Sequence, residues 1–145
     1  MNNITPPRLI EKDDFNKGYI ELLQEFANFK TPITESYFTS YIEKTHNFVR
    51  IYVIEDKTTN KIIGAGSLFI LPKLHIGVNK IGTIEDIIVN TDYRGKGLGK
   101  LLVNKLAEVG KDMNCYKVML NCKPHTEEFY KKSGFIRQGF VLDKR

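Results

Sequence analysis

No run of apolar residues in this chain is long enough to cross a bilayer. The longest stretches, such as Leu68 to Leu71, fall far short of the roughly 20 residues that a spanning helix needs. The opening residues, Met1-Asn2-Asn3-Ile4-Thr5-Pro6-Pro7, also lack the basic-then-apolar pattern of a secretory leader, so a cytoplasmic protein is expected. Cysteine is scarce. Cys115 and Cys122 stand in a segment that reads as a strand, which separates them by roughly 20 Å and aims them at opposite faces. A disulfide requires Cα atoms within about 7 Å, so these two are not expected to bond, and they form no CxxC pair. His46, His75 and His125 make no HExxH or Cys/His cluster, which leaves a metal site without support. Internal repeats and low-complexity tracts are absent too.

What is present suits one compact domain over residues 1–145. At 145 residues, with 41% hydrophobic and 27% charged, the chain is too apolar for disorder and too poor in cysteine for a disulfide scaffold. Its 22 Lys+Arg exceed its 17 Asp+Glu by five. Such an excess suits nucleic acid, a membrane surface or small phosphorylated ligands, and only its location distinguishes them.

The apolar periodicity outlines an α/β order. Arg8-Leu9-Ile10 reads as a short strand, and Asp13 or Asp14 can cap a helix from near Phe15 whose buried stripe is Tyr19, Leu22, Leu23 and Phe26. Thr34 can cap a second helix through Tyr37, Phe38, Tyr41 and Ile42. Strands follow from Phe48 to Ile54, Ile62 to Leu71 and Ile81 to Val89, with a polar turn at 56–60 and a loop at 72–80. Leu98, Leu101, Leu102, Leu106 and Val109 then mark an amphipathic helix that Gly110 can end. Tyr116 to Leu120 reads as a strand, Thr126 to Lys132 as a short helix, and Phe135 to Leu142 as two short strands broken at Gly139. The order βααβββαβαββ predicts a mixed, mostly antiparallel central sheet flanked by helices.

The chemistry concentrates in Asp92-Tyr93-Arg94-Gly95-Lys96-Gly97-Leu98-Gly99-Lys100, between a strand and a helix. Alternate glycines let the backbone approach a ligand, and the helix start offers unpaired N–H groups and a positive dipole end. Arg94, Lys96, Lys100 and Lys105 gather there with no acid between Tyr93 and Leu106, so a phosphate is the expected guest. A P-loop is excluded because Leu101 stands where Ser or Thr must hold magnesium. A Rossmann fingerprint fails on glycine spacing and on Asn121, which stands near the next strand's end in place of an acid.

Arg94-Gly95-Lys96-Gly97-Leu98-Gly99 resembles the Arg/Gln-x-x-Gly-x-Gly/Ala pyrophosphate loop of the GNAT superfamily of acyl-CoA N-acyltransferases, whose element order is also similar. Ile84-Glu85-Asp86-Ile87-Ile88-Val89, Asn114-Cys115-Tyr116-Lys117 and Phe129-Tyr130-Lys131-Lys132-Ser133-Gly134-Phe135 narrow the resemblance to the glucosamine-6-phosphate N-acetyltransferase family. The likeness is dense from Gly82 to Phe135 and colinear, though weaker, before it.

The resemblance implies a GNAT fold and acetyl-CoA as cosubstrate. It also implies a cytoplasmic enzyme acetylating the amine of glucosamine 6-phosphate in UDP-N-acetylglucosamine biosynthesis. By the same likeness, backbone groups of Ile87, Ile88 and Val89 hold the pantetheine arm, while Arg94, Gly95, Lys96, Gly97, Leu98, Gly99 and Lys100 form the pyrophosphate cradle. Tyr130 is the implied general acid for the departing thiolate, with Lys131 and Lys132 beside the cofactor. An exposed strand edge pairing with an amide-bearing arm makes physical sense of this.

Glu85 and Asp86 interrupt an apolar strand, where adjacent acids point to opposite faces and one meets the covered side. The resemblance sets them against the sugar's amine and hydroxyls. For the sugar phosphate it points to Lys73, His75, Tyr116, Lys117 and Arg145, scattered cations suited to a doubly charged group. Two positions depart from the family: its histidine falls where this chain has Ile76, and its acid where this chain has Asn121. Asparagine accepts a hydrogen bond but takes no proton, so the base is Glu85, a carbonyl acting through water, or solvent.

Direct attack of the amine is expected. Cys122 is the nucleophile a ping-pong route needs, but a buried strand cysteine is usually inert. Other readings stay open: another small amine or a protein lysine as acceptor, or a basic RNA-binding domain. The family likeness further implies a homodimer with sites near the subunit interface, no nucleic-acid partner and no membrane.

Overall fold

The computed structural model describes residues 2–77 and 79–145. Five strands form one sheet in the order β1-β2-β3-β4-β5: β1 (Arg8–Leu9), β2 (Val49–Asp56), β3 (Lys61–Lys73), β4 (Asn79–Val89) and β5 (Cys115–Leu120). The first three pairings are antiparallel, and β4 runs parallel to β5. A parallel pair needs a crossover, here α3 (Leu98–Asp112). The remaining helices are α1 (Tyr19–Ala27), α2 (Glu35–Thr45) and α4 (Glu127–Lys131). The α/β class and the mixed, mostly antiparallel sheet agree with the sequence reading.

Alternation along the strands supplies a core on each face. Val53, Ala65 and Ile88 pack with Tyr19, Ile20, Leu22 and Phe38 of α1 and α2. Leu68, Ile70 and Ile84 meet Val103, Leu106 and Val109 of α3, while Ile54 and Ile63 meet its Leu98 and Leu102. Each fully buried aliphatic side chain contributes roughly 1.5–3 kcal/mol, so α3 is anchored along its whole length.

Several local expectations change. Thr34 does cap α2, accepting from the Tyr37 N–H at 3.1 Å. The first helix, however, starts at Tyr19, after a 3-10 turn at Lys12–Lys17 and a left-handed Gly18. Asp14 is buried, where it takes both guanidinium nitrogens of Arg8 and the Glu11 N–H. Glu55 joins that network through Arg8 and Lys17, and its carboxyl is held below the usual range, chiefly by Arg8. Phe26 lies off the buried stripe, 54% exposed.

The segment expected as a loop at 72–80 is largely hairpin, with Lys73 registered against Asn79. Gly110 does not end α3. A Cβ there would stand 2.4 Å from a Val118 methyl, so the glycine admits β5 against the helix, and the exit is made by Asn114 at φ 60°.

The two strands expected between Phe135 and Leu142 are not formed. A strand needs a pairing partner, and the segment does not pair with the outer edge of β5: Phe140 and Leu142 are 89% and 93% exposed. Cys122 lies beyond β5 and is exposed, so the expected buried strand cysteine is corrected as well.

Candidate active site

Pairing between β4 and β5 runs from Lys80↔Cys115 to Ile84↔Leu120 and stops. On the other side β3 continues to Ala65↔Ile88 and Gly64↔Val89. The far half of β4 is thus a sheet edge inside the molecule, and a cavity of about 450 Å³ opens beside it. Ile87, Ile88 and Val89 form one wall. Tyr93, Arg94, Gly95, Gly97, Leu98, Gly99 and Lys100 form the other, with Phe26 of α1 and Phe129 of α4 also lining the space.

The loop between β4 and α3 is shaped by backbone geometry. Gly95 and Gly97 have φ of 76° and 79°, a region in which side-chain-bearing residues are strained, and no atom lies within 4 Å of where either Cβ would stand. Gly97 is the N-cap of α3 and has no side chain to cap it, so the helix's first N–H groups are open to an anion. The Asn90 side chain accepts from the Asp92 N–H at 3.0 Å, and Arg94 Nε donates to the Val89 carbonyl at 3.1 Å. Tyr93 donates its hydroxyl to Asp56 at 2.6 Å, and the Lys96 ammonium lies 5.3 Å from its ring centroid. Thr91 reaches Glu25 of α1 at 3.2 Å. The residue set expected around a pyrophosphate is therefore assembled in one place, with Lys96 stacked on a wall residue.

An extra residue in β4 opposite the Ala65/Ser67 step gives Asp86 a φ of 55°. That bulge interrupts the strict alternation on which the opposite-face expectation for Glu85 and Asp86 rests. Asp86 is exposed. Glu85 is half-buried, and burial first, then the neighbouring Asp86, raises its carboxyl above the ordinary range. Burial also raises the Tyr41 hydroxyl of α2, helped by the charge of Asp86.

Tyr130 is half-buried and packs with the core beneath α3, its ring edge-on to Phe129 at 5.0 Å and to Phe135 at 6.3 Å. Burial, with Cys122 second, raises its hydroxyl, which stays protonated at neutral pH. Phe129, not Tyr130, borders the cavity. Lys131 pairs with Glu128 at 2.9 Å and Glu127 at 3.3 Å, which engages its ammonium and favours its charged form, and Lys132 beside it is exposed.

Asn121 follows the last paired residue of β5 and is exposed where the two strands part. Tyr116 and Lys117 are exposed on β5, Lys73 ends β3, and His75 lies in the 3-10 turn Leu74–Ile76. Arg145 is exposed and pairs locally with Asp143 at 3.0 Å. None of these acceptor-side residues lines the 450 Å³ cavity. Phe26, Tyr93 and Phe129 line the cavity without a site role in the sequence reading, which sets Phe26 in a buried stripe. Tyr93 sits within the loop motif and Phe129 beside Tyr130, whereas nothing local marks Phe26 as a wall residue.

Residues 15–135 match the family described as Acetyltransferase (GNAT) family. A protein named glucosamine 6-phosphate N-acetyltransferase 1, from Dictyostelium discoideum, is 39% identical over 138 residues, 93% of this chain and 87% of that protein. The crystal structure of glucosamine-6-phosphate N-acetyltransferase from Arabidopsis thaliana superposes with a TM-score of 0.90 at 34% identity, covering 98% of this chain and 97% of that one. An acetyltransferase structure from Trypanosoma brucei gives 0.89 at 29% identity, covering 98% and 99%.

Proposed function

Because this chain belongs to the acetyltransferase (GNAT) family, we propose that it transfers the acetyl group of acetyl-CoA to the amine of D-glucosamine 6-phosphate. The products are N-acetyl-D-glucosamine 6-phosphate and CoA. The observation that carries the acetyl-CoA half is the parting of β4 from β5 beside a glycine loop at an uncapped helix start. The sugar half is supported by the names of relatives that align along nearly the whole chain.

The cavity fits acetyl-CoA on its own chemistry. Gly95 and Gly97 leave open space above the backbone, and the α3 N–H groups with Arg94, Lys96 and Lys100 suit two phosphates. Ile87, Ile88 and Val89 can pair with amides of the pantetheine arm as a further strand would. Acetyl-CoA supplies an activated acyl group, a thioester.

The neutral amine attacks that carbonyl directly, with no covalent acetyl-enzyme. A backbone N–H within 87–89 stabilises the oxyanion, and Tyr130 gives its proton to the departing thiolate. The amine's proton leaves to Glu85, whose raised affinity for protons suits a base, or through water. Asn121 orients the amine by accepting a hydrogen bond. Glu85 and Asp86 hold the sugar, and Lys73, His75, Tyr116, Lys117 and Arg145 serve the phosphate, some across a dimer interface. The unpaired apolar C-terminal segment supports a homodimer in which that segment finds its edge on the second subunit. One domain over 1–145 acting in the cytoplasm, on the way to UDP-N-acetylglucosamine, completes the reading.

The test is thiol release from acetyl-CoA against a panel of amines. Strong preference for glucosamine 6-phosphate over glucosamine is expected, and equal rates with polyamines or peptides would redirect the substrate. Parallel initial-velocity lines, with acetyl exchange in the absence of sugar, would replace direct attack by a ping-pong route through Cys122.

A further inference from the structure

We propose that Asp56 is a positioning residue for the loop at 90–97, acting through Tyr93 to set the affinity for the pyrophosphate end of acetyl-CoA. The inference rests on the acetyl-CoA reading of the cavity and adds a residue outside its lining.

Asp56 closes β2, just past a register shift between Ile54 and Glu55. Side chains there divide between the two faces of the sheet. Glu55 turns to Arg8 and Lys17, in the layer of the first 3-10 turn, whereas Asp56 turns to Tyr93 on the α3 side. Asp56 is only 8% exposed, and among the described residues no cation pairs with it. Its carboxylate is held by the Tyr93 hydroxyl at 2.6 Å and the Thr58 N–H at 2.8 Å. A buried carboxylate tolerates no loss of such partners, so the pair is a specific contact.

Tyr93 passes the constraint on. Its ring packs with Ile54, Ile63, Leu98 and Leu102, forms part of the cavity wall, and lies beneath the Lys96 ammonium. A hydroxyl pinned at one end therefore fixes a wall, a cation and the start of α3 together. The loop has need of this. Its two left-handed glycines are costly to order, and a loop ordered before the ligand arrives binds more tightly because less freedom is lost on binding.

The experiment compares wild type with Asp56→Ala, Asp56→Asn, Tyr93→Phe and the Asp56→Ala/Tyr93→Phe double variant. Readouts are CoA binding by calorimetry, KM and kcat for acetyl-CoA, and thermal midpoint. Asp56→Ala is expected to weaken CoA binding and raise the acetyl-CoA KM roughly tenfold, the worth of one hydrogen bond to a charged group, while kcat at saturation holds within about twofold. Asp56→Asn keeps an acceptor oxygen and recovers most of the affinity. Tyr93→Phe matches Asp56→Ala, and the double variant is no worse than either. A lowered thermal midpoint with unchanged KM in Asp56→Ala, or additive losses in the double variant, overturns the proposal and leaves the cofactor site standing. Wild-type protein that does not bind CoA overturns both.

Discussion

From Lys80 to Ile84, β4 is paired on one side with β3 and on the other with β5, whereas from Glu85 to Val89 only β3 accompanies it. Both halves carry a pair of isoleucines, Ile81 and Ile84 in one and Ile87 and Ile88 in the other, so apolarity alone does not separate them. A neighbour's withdrawal does. The glycines differ in the same sense. At the closed end Gly82 and Gly110 would carry Cβ atoms 3.4 Å and 2.4 Å from a Val118 methyl, so absent side chains let protein approach protein. At the open end Gly95 and Gly97 face empty space, which keeps room for a ligand. The contrast shows how one strand serves two ends: packing density where it is covered, unpaired backbone where it is not.

Substitutions that separate activity from stability test this contrast. The largest effect is expected from Tyr130→Phe, with kcat falling about 100-fold or more while CoA affinity and melting temperature hold, as read by steady-state kinetics and calorimetry. Unchanged turnover would remove Tyr130 as proton donor. Gly110→Val should do the reverse, forcing a branched side chain onto Val118 and costing about 1–3 kcal/mol in denaturant unfolding, with the acetyl-CoA KM preserved in the folded fraction.

Gly97→Val places a branched residue at φ 79°, with strain of about 1–2 kcal/mol. We expect it to appear mainly as weaker CoA binding, since the loop can relax when empty. The smallest effect is a pH dependence at Glu85. Its carboxyl is raised in the folded protein, so the native state binds the proton more tightly than the unfolded chain, and its ionisation costs stability as pH rises above the ordinary glutamate value of about 4.3. Glu85→Gln should therefore be slightly more stable than wild type at pH 7 and equal to it below pH ~4. A gain that persists in acid would assign the effect to something other than charge.

Much of this organisation is legible in the chain. Leu98, Leu102, Leu106 and Val109 announce α3, Thr34 announces the cap of α2, and the run from Arg94 to Lys100 announces an anion site, because helical periodicity, capping and glycine-rich helix starts are local properties. Asp14 misleads because its oxygens cap the Glu11 N–H of the 3-10 turn rather than a helix from Phe15, and they also take Arg8, an ion pair that no local spacing shows. Gly110 misleads for the same reason: a glycine near a helix end reads as a stop, and the closeness of Val118 gives it another purpose. Phe135 to Leu142 has the pattern of strands but stays unpaired with the outer edge strand β5, because pairing is a relation between segments that alternation alone does not fix.

The sequence by itself determined the main helices and the strands as far as β5, their order, the apolar faces and the loop that can hold phosphates, since each is written in spacings of a few residues. Only the tertiary structure decided where β5 leaves β4, which aromatic side chain borders the cavity, and that Asp56 reaches Tyr93 across 37 positions of chain. The physical reason is that a strand edge and a buried hydrogen bond are relations between distant segments, settled by packing rather than by any local preference.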